Sequence, residues 1–237
     1  MGNTLTIAWK ETRTYFTSPM GYIIGGVFLA LTGYLFAQSV SAPFAEASIR
    51  SWIGSATMLF TLWSPVLTMR LLAEEQKLGT LELLMTSPVR DFEIVVGKYL
   101  SALAMLLSIL VLTLFYALLL FLFGDPDIGP LFVGYLGLVL FGAATLAVGV
   151  LASSLTSNQI VAAVISFGIL LFLTLLQQAA DVTPGAPALI LEQLSLTGHF
   201  DDFARGVIDT NNVVYYISFI FVSLFLAIRN LESKRWR

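Results

Sequence analysis

Glu74-Glu75-Gln76-Lys77-Leu78-Gly79-Thr80-Leu81-Glu82-Leu83-Leu84-Met85-Thr86-Ser87-Pro88 is a charged, helix-forming island between two long apolar runs. The chain around it has 237 residues, 57% hydrophobic and 11% charged, with a mean hydropathy of +0.88. A soluble domain carries roughly 25% charged residues, and about 20 apolar residues in a row match the thickness of a bilayer. The composition therefore predicts an all-α integral membrane protein, one domain over 1–237. Six spans are read at Met20–Val40, Trp52–Leu72, Tyr99–Phe123, Leu131–Ser153, Ile160–Gln177 and Val213–Ile228. Residues 1–19 precede them, 178–212 form an outer segment, and 213–237 hold the last span and a basic tail.

Within the island, Gly79 is expected to break the helix descending from span two. Thr80 can cap a new short helix, with Glu82 in its first turn, where a negative charge suits the helix dipole. Leu78, Leu81 and Met85 then make an apolar stripe, and Ser87-Pro88 ends it. Asp91 is expected to cap the helix that becomes span three, with Glu93 in its first turn. Such a helix, held across the ends of two spans, would let a partner tilt both together. The other reading of the same residues is a solvated loop between helices.

The basic residues set the orientation. With six spans both termini lie on one side, which carries Lys10, Arg13, Arg70, Lys77, Arg90, Lys98, Arg229, Lys234, Arg235 and Arg237, ten of the twelve Lys and Arg residues. Arg50 and Arg205 fall on the other. The excess of Lys and Arg marks the cytoplasmic side, so the island is expected there. No cleavage site follows a short apolar core near Met1, so no removed signal peptide is expected. In Met1–Ser18, Leu5, Trp9, Thr12 and Phe16 share a face that Lys10, Glu11 and Arg13 avoid. This predicts a helix lying in the inner interface and turning into the membrane at Ser18-Pro19.

Outside, Asp125-Pro126-Asp127-Ile128-Gly129-Pro130 reads as a tight turn. Pro184 and Pro187 open a short helix over Ala188–Leu194. Phe200, Phe203 and Val207 then form a stripe, with Asp201, Asp202 and Arg205 off it. That pattern fits an amphipathic helix on the outer surface, or a loop helix packed on the bundle. Gly21-x-x-x-Gly25, followed by Gly26, allows close helix approach, either within the chain or between subunits. Trp9, Trp52, Tyr135, Tyr215 and Tyr216 sit near span ends and are expected to anchor in the interface.

Several chemistries are disfavoured. The interiors of the six spans hold no Asp, Glu, Lys, Arg or His, which argues against a proton-coupled carrier or a charge-lined channel. There is one histidine, His199, and no cysteine, so a zinc site is weakly supported and His199 reads as a surface or packing residue. No G-x-x-x-x-G-K-[ST] loop occurs, so ATP hydrolysis by that route needs another chain.

The pattern Glu-Glu-x-x-x-Gly-Thr-x-Glu-x-Leu-x-x-x-Pro of Glu74–Pro88 resembles the first cytoplasmic loop of type 2 ABC exporter permeases, the ABC-2 family. His199-Phe200-Asp201-Asp202-Phe203-Ala204-Arg205-Gly206-Val207-Ile208-Asp209 resembles the segment before the last span in its gliding-motility (GldF-like) subfamily. Lys10-Glu11 and Ser18-Pro19 sit where that family has its N-terminal interface helix. The resemblance implies an ABC-2, type V exporter-like permease fold with an N-terminal interfacial helix, a cytoplasmic coupling helix and short outer helices. It implies two permease chains, identical or homologous, with two cytoplasmic ABC ATPase subunits that bind the ATP and magnesium, and no cofactor on this chain. The coupling contact would be Glu74, Glu75, Gly79, Thr80, Glu82 and Pro88, with a lesser one at Ser153–Gln159 through Ser154, Ser157 and Asn158. The outer helices would be Pro187–Leu194 and Phe200–Ile208, with Phe200, Phe203, Arg205 and Gly206. Implied partners also include membrane lipid and an auxiliary membrane or periplasmic subunit, but not nucleic acid. The implied location is the prokaryotic plasma (inner) membrane, and the implied activity is ATP-driven export or movement of a substrate, which the absence of charge inside the spans favours as amphiphilic, lipid-linked or polymeric. The alternative is a non-transporting scaffold or force-transmitting component that recruits an ATPase.

Overall fold

The computed structural model describes residues 2–41, 50–81, 89–124 and 126–235. Among these every regular element is helical. α1 is Gly2–Thr17, α2 Pro19–Ser41, α3 Arg50–Thr68, α4 Ala73–Leu78, α5 Asp91–Phe123 and α6 Ile128–Leu155. α7 is Gln159–Val182 and α8 Ala186–Leu194; a 3-10 turn over Gly198–Phe200 leads into α9, Asp201–Ala204, and α10 is Thr210–Arg235. Among the described residues, six segments are long and apolar enough to cross a membrane: α2, α5, α6, α7, α10 and the stretch Arg50–Leu78, which joins α3 and α4. The six spans read from the sequence are all present, and the differences lie at their ends.

The largest difference is in span two. It is predicted to run to Leu72, yet α3 stops at Thr68 and a turn intervenes before α4. Pro65, inside α3, lacks the N–H for a bond to residue 61, yet the ladder continues past it, with Met69 N donating to the Pro65 carbonyl at 2.9 Å. The break itself comes from α6. The Ser153 hydroxyl donates to the Met69 carbonyl at 3.1 Å and accepts from Leu72 N at 3.1 Å and Ala73 N at 3.0 Å. It stands where the Ala73-to-Met69 helical bond would form, and a side chain inserted into the ladder kinks a helix. Span three starts at Asp91 rather than Tyr99. Arg90, not Asp91, occupies its N-cap, and the Glu93 carboxylate accepts from Arg90 N at 2.9 Å.

α6 is the most enclosed span, and its glycines explain how neighbours come so close. A Cβ at Gly142 would meet Leu106 of α5 at 2.8 Å, one at Gly137 would meet Phe203 of α9 at 2.6 Å, and one at Gly149 would collide with the Thr68 hydroxyl of α3. A buried hydroxyl pair, Ser64 with Thr145 at 2.6 Å, joins α3 to α6 midway. The expected tight turn over 125–130 is shorter, because Gly129 and Pro130 already belong to the first turn of α6, where proline is tolerated.

Three of the expected interfacial anchors are packing residues instead. Trp52 is 1% exposed. Its Nε1 donates to the Thr32 carbonyl at 3.0 Å, and its ring meets Tyr116 and Tyr135. Tyr135 is half-buried and donates to the Thr113 carbonyl, and Tyr216 is buried and donates to the Leu196 carbonyl. Trp9 is exposed.

The segment between α7 and α10 returns to the bundle. Leu196 N donates to the Leu173 carbonyl and the Thr197 hydroxyl to the Thr174 carbonyl, hooking it onto α7. Phe200 and Phe203 are buried against Phe141 and Tyr216. α9 ends at Ala204, not Ile208. Gly206 takes φ +84° with Pro130 directly beside its Cα, a turn that favours glycine, and Val207 is exposed. The described geometry is a loop helix packed on the bundle, not a stripe lying on the outer surface.

Candidate functional site

The candidate site lies where α1, α4, the C-terminal ends of α3, α6 and α10 and the N-terminal end of α5 meet. α1 is two-faced. Leu5, Trp9 and Phe16 are exposed, as suits a helix resting on lipid. On the opposite side Ala8 is buried, and Ile7 and the Thr4 carbonyl press on Gly97 of α5, where a Cβ would come within 2.9 Å and 3.0 Å of them. Tyr15 donates to the Leu67 carbonyl of α3 at 2.7 Å. Burial pushes the Tyr15 phenol far above its usual range, and nearby Glu11 adds to this, so the donor keeps its proton.

At the centre is Lys98, whose side chain is 2% exposed. Its ammonium pairs with Glu11 of α1 at 3.2 Å and Glu75 of α4 at 2.8 Å. Beside it Arg70 holds Glu74 through two contacts, 2.9 Å and 3.2 Å. On the other flank of α4, Gln76 donates to the Ser154 carbonyl at 3.1 Å and accepts from Lys234 of α10 at 2.7 Å. That same carbonyl also receives Asn230 at 2.6 Å and Lys234 at 2.7 Å. Three consecutive side chains of α4 are thus fixed to the turn before it and to α5, α6 and α10.

The structure sorts the sequence-predicted residues. Glu74 and Glu75 are half-buried and engaged in the ion pairs above. Gly79 ends α4 with φ +70°, a left-handed cap that glycine favours. The Thr80 hydroxyl reaches back to the Glu75 carbonyl at 3.4 Å. Lys77, Leu78, Gly79 and Thr80 form an exposed ledge. Leu78 is exposed while Leu81 is buried, so these two do not share a stripe; Glu82, Met85 and Pro88 lie outside the described residues. Ser154 is buried, while Ser157 and Asn158 are exposed, with Asn158 capping α7 through Ile160 N at 3.0 Å. Far from the site, Arg205 is exposed at the opposite end, and His199 stacks on Tyr215 at 3.7 Å. Gly21 abuts the Tyr15 carbonyl, and Gly25 faces Met105 and Ile109 of α5, so both serve packing within the chain.

Lys98 and Ser153 are the residues that sequence reading passed over. Lys98 entered only as one more positive charge, and Ser153 only as the start of a polar loop. The available signal for Lys98 was its place on the helical stretch before Tyr99, within an apolar surround that requires a partner. Ser153→Ala should lower stability by about 1–3 kcal/mol, because Leu72 N and the Met69 carbonyl lose a buried partner. Denaturant titration in detergent measures it, and a change near zero would show that the break at 69–72 is held by other contacts.

Between α1, α2, α3, α4 and α5 lies a cavity of about 210 Å³. Glu11, Glu74, Glu75, Arg70 and Lys98 supply its charge, and Ile24, Val66 and Leu71 part of its apolar wall.

A family model described as "ABC-2 family transporter protein" matches residues 5–229. A stretch of 115 residues is 33% identical to the probable multidrug ABC transporter permease YbhS of Escherichia coli (strain K12), covering 46% of this chain and 29% of that relative. The same figures hold for YbhS of Escherichia coli O157:H7. The matched region thus spans less than a third of the length of these curated relatives.

Proposed function

Because the chain belongs to the ABC-2 family of transporter proteins, we propose that it is the permease subunit of an ATP-driven exporter, with ATP and magnesium bound by a separate cytoplasmic ATPase. A second permease, identical or homologous, completes the transport path at the interface between the two. Both termini face the cytoplasm of a prokaryotic cell, on the strength of the basic residues gathered at one end. The segment His199–Asp209 favours the gliding-motility subfamily. The substrate is amphiphilic or polymeric, consistent with predicted spans in which the one Asp, Glu, Lys, Arg or His is Arg70, two residues from the end of span two.

The observation that carries this reading is the wiring of α4. A force on the ledge Lys77–Thr80 passes through Glu75 to Lys98, through Gln76 to Ser154 and through Lys234 to α10. ATPase docking there would move α3, α5, α6 and α10 together.

The test is to purify the complex carrying Glu82→Lys or Gly79→Trp. Either change is expected to reduce copurification of the ATPase and abolish substrate-stimulated ATP hydrolysis, with the permease still folded. Unchanged copurification and unchanged stimulation in both variants would refute the docking assignment. A stable complex whose ATPase activity no substrate affects would instead favour the force-transmitting or scaffold role.

A further inference from the structure

α1 has three faces, and the coupling role uses one of them. Ile7, Glu11 and Tyr15 turn toward the bundle: Ile7 presses on Gly97, Glu11 pairs with Lys98 and Tyr15 donates to the Leu67 carbonyl. Leu5, Trp9 and Phe16 are exposed on a second face. The third, Thr6, Lys10, Arg13 and Thr17, follows the helical repeat and is exposed throughout. Its charge is uncompensated. Glu11 is the one carboxylate in α1, and Lys98 draws it away from this face. Neither Lys10 nor Arg13 is in an ion pair among the described residues. The Thr6 and Thr17 hydroxyls donate back to the Gly2 and Arg13 carbonyls, at 2.8 Å and 2.9 Å, so the donors that the face turns outward are the two cations.

The placement of α1 says what meets those cations. Asn3 donates to Glu93 of α5 at 3.3 Å and Tyr15 reaches α3, so the helix crosses the end of the bundle, and the first span begins directly after it at Pro19. A helix there, with aromatic and aliphatic side chains on one face and Lys and Arg on the next, sits where acyl chains meet headgroups. We propose that α1 is a binding surface for an anionic phospholipid of the adjacent leaflet, with Arg13 and Lys10 on its phosphate and Trp9 and Phe16 among its acyl chains. Arg offers paired N–H groups that match phosphate oxygens, and Lys adds a compact charge. A zwitterionic headgroup brings its own cation to the same place, and two cations with no carboxylate on their face select against it. The surface lies within a single chain and needs neither a second permease nor an ATPase.

The experiment uses the detergent-purified full chain, with lipid adducts read by native mass spectrometry and Tm measured in nanodiscs. Phosphatidylglycerol is compared with phosphatidylcholine of the same acyl chains. The wild type should hold phosphatidylglycerol about tenfold or more tightly, and Lys10→Gln and Arg13→Gln should each lower that preference about fivefold. Lys10→Glu together with Arg13→Glu should invert it, so that phosphatidylglycerol lowers Tm relative to phosphatidylcholine. Lys77→Gln with Arg90→Gln removes the same charge from exposed positions off α1 and should leave the preference unchanged. That control separates a surface on α1 from general attraction to a basic end of the protein. A preference that survives charge reversal on α1, or that the Lys77 and Arg90 changes remove as fully, overturns the proposal. Equal binding of the two lipids by the wild type also overturns it and leaves the two cations to an acidic protein partner. Because the readout is lipid binding to this chain alone, the result is independent of whether an ATPase docks on the ledge.

Discussion

Lys98→Met is expected to destabilise the protein by about 3–5 kcal/mol, the range for removing one partner of a buried ion pair. The side chain is 2% exposed, and its two partners, Glu11 and Glu75, are 20% and 18% exposed. Without the ammonium, two carboxylates face each other across a poorly solvated gap and repel. The triple variant Lys98→Met, Glu11→Gln, Glu75→Gln removes both uncompensated charges and should regain most of the loss, since an ion cluster replaced by neutral groups of similar size is often close to neutral. Thermal unfolding in detergent reads both results. A single variant that costs less than about 1 kcal/mol would place the cluster in the class of solvent-exposed pairs and remove its role as the joint between α1, α4 and α5.

Trp52→Ala should cost a similar amount, about 3–5 kcal/mol, through loss of buried area and the cavity left behind. Trp52→Phe keeps an aromatic ring beside Tyr116 and Tyr135 but loses the bond to the Thr32 carbonyl, and is expected to cost about 1 kcal/mol. An interfacial anchor would behave differently: its replacement would shift depth in the bilayer and change unfolding by less than about 0.5 kcal/mol. The ordering Ala, then Phe, then wild type in denaturant midpoint therefore tests directly whether Trp52 lies in the core.

The number and order of the spans were legible because each depends on a local property, a run of apolar residues long enough for a bilayer. α1 was legible for the same reason: Leu5, Trp9 and Phe16 repeat at helical spacing. What stayed hidden depends on contacts distant in sequence. Nothing near Met69 announces that the helix stops at Thr68, because Ser153, on another span, holds the break open. Nothing around Trp52 distinguishes an interfacial position from a packed one, since Tyr116 and Tyr135, its ring partners, lie on α5 and α6. The stripe Phe200–Phe203–Val207 has helical period but outlasts its helix, because Gly206 turns the chain after Ala204. At the candidate site the sequence shows the acidic half, Glu74 and Glu75, as part of a charged island between two spans. The cation that draws Glu75 inward sits on the helix of span three, and only the fold brings the two together.

The Ser153 hydroxyl has a mechanical consequence. A continuous helix from Arg50 to Leu78 would act as a stiff rod, and its lower end would swing in fixed proportion to its upper end. With the ladder opened at Met69 and bridged by a side chain from α6, the rod becomes two arms meeting at a pivot whose pin belongs to a different helix. The angle between the arms is then set by where α6 stands, not by α3 alone. A displacement of the short arm reaches the long one through the turn between them and through that pin. The second and fourth spans are therefore joined at the break itself by one oxygen atom, in addition to the Ser64–Thr145 pair higher up.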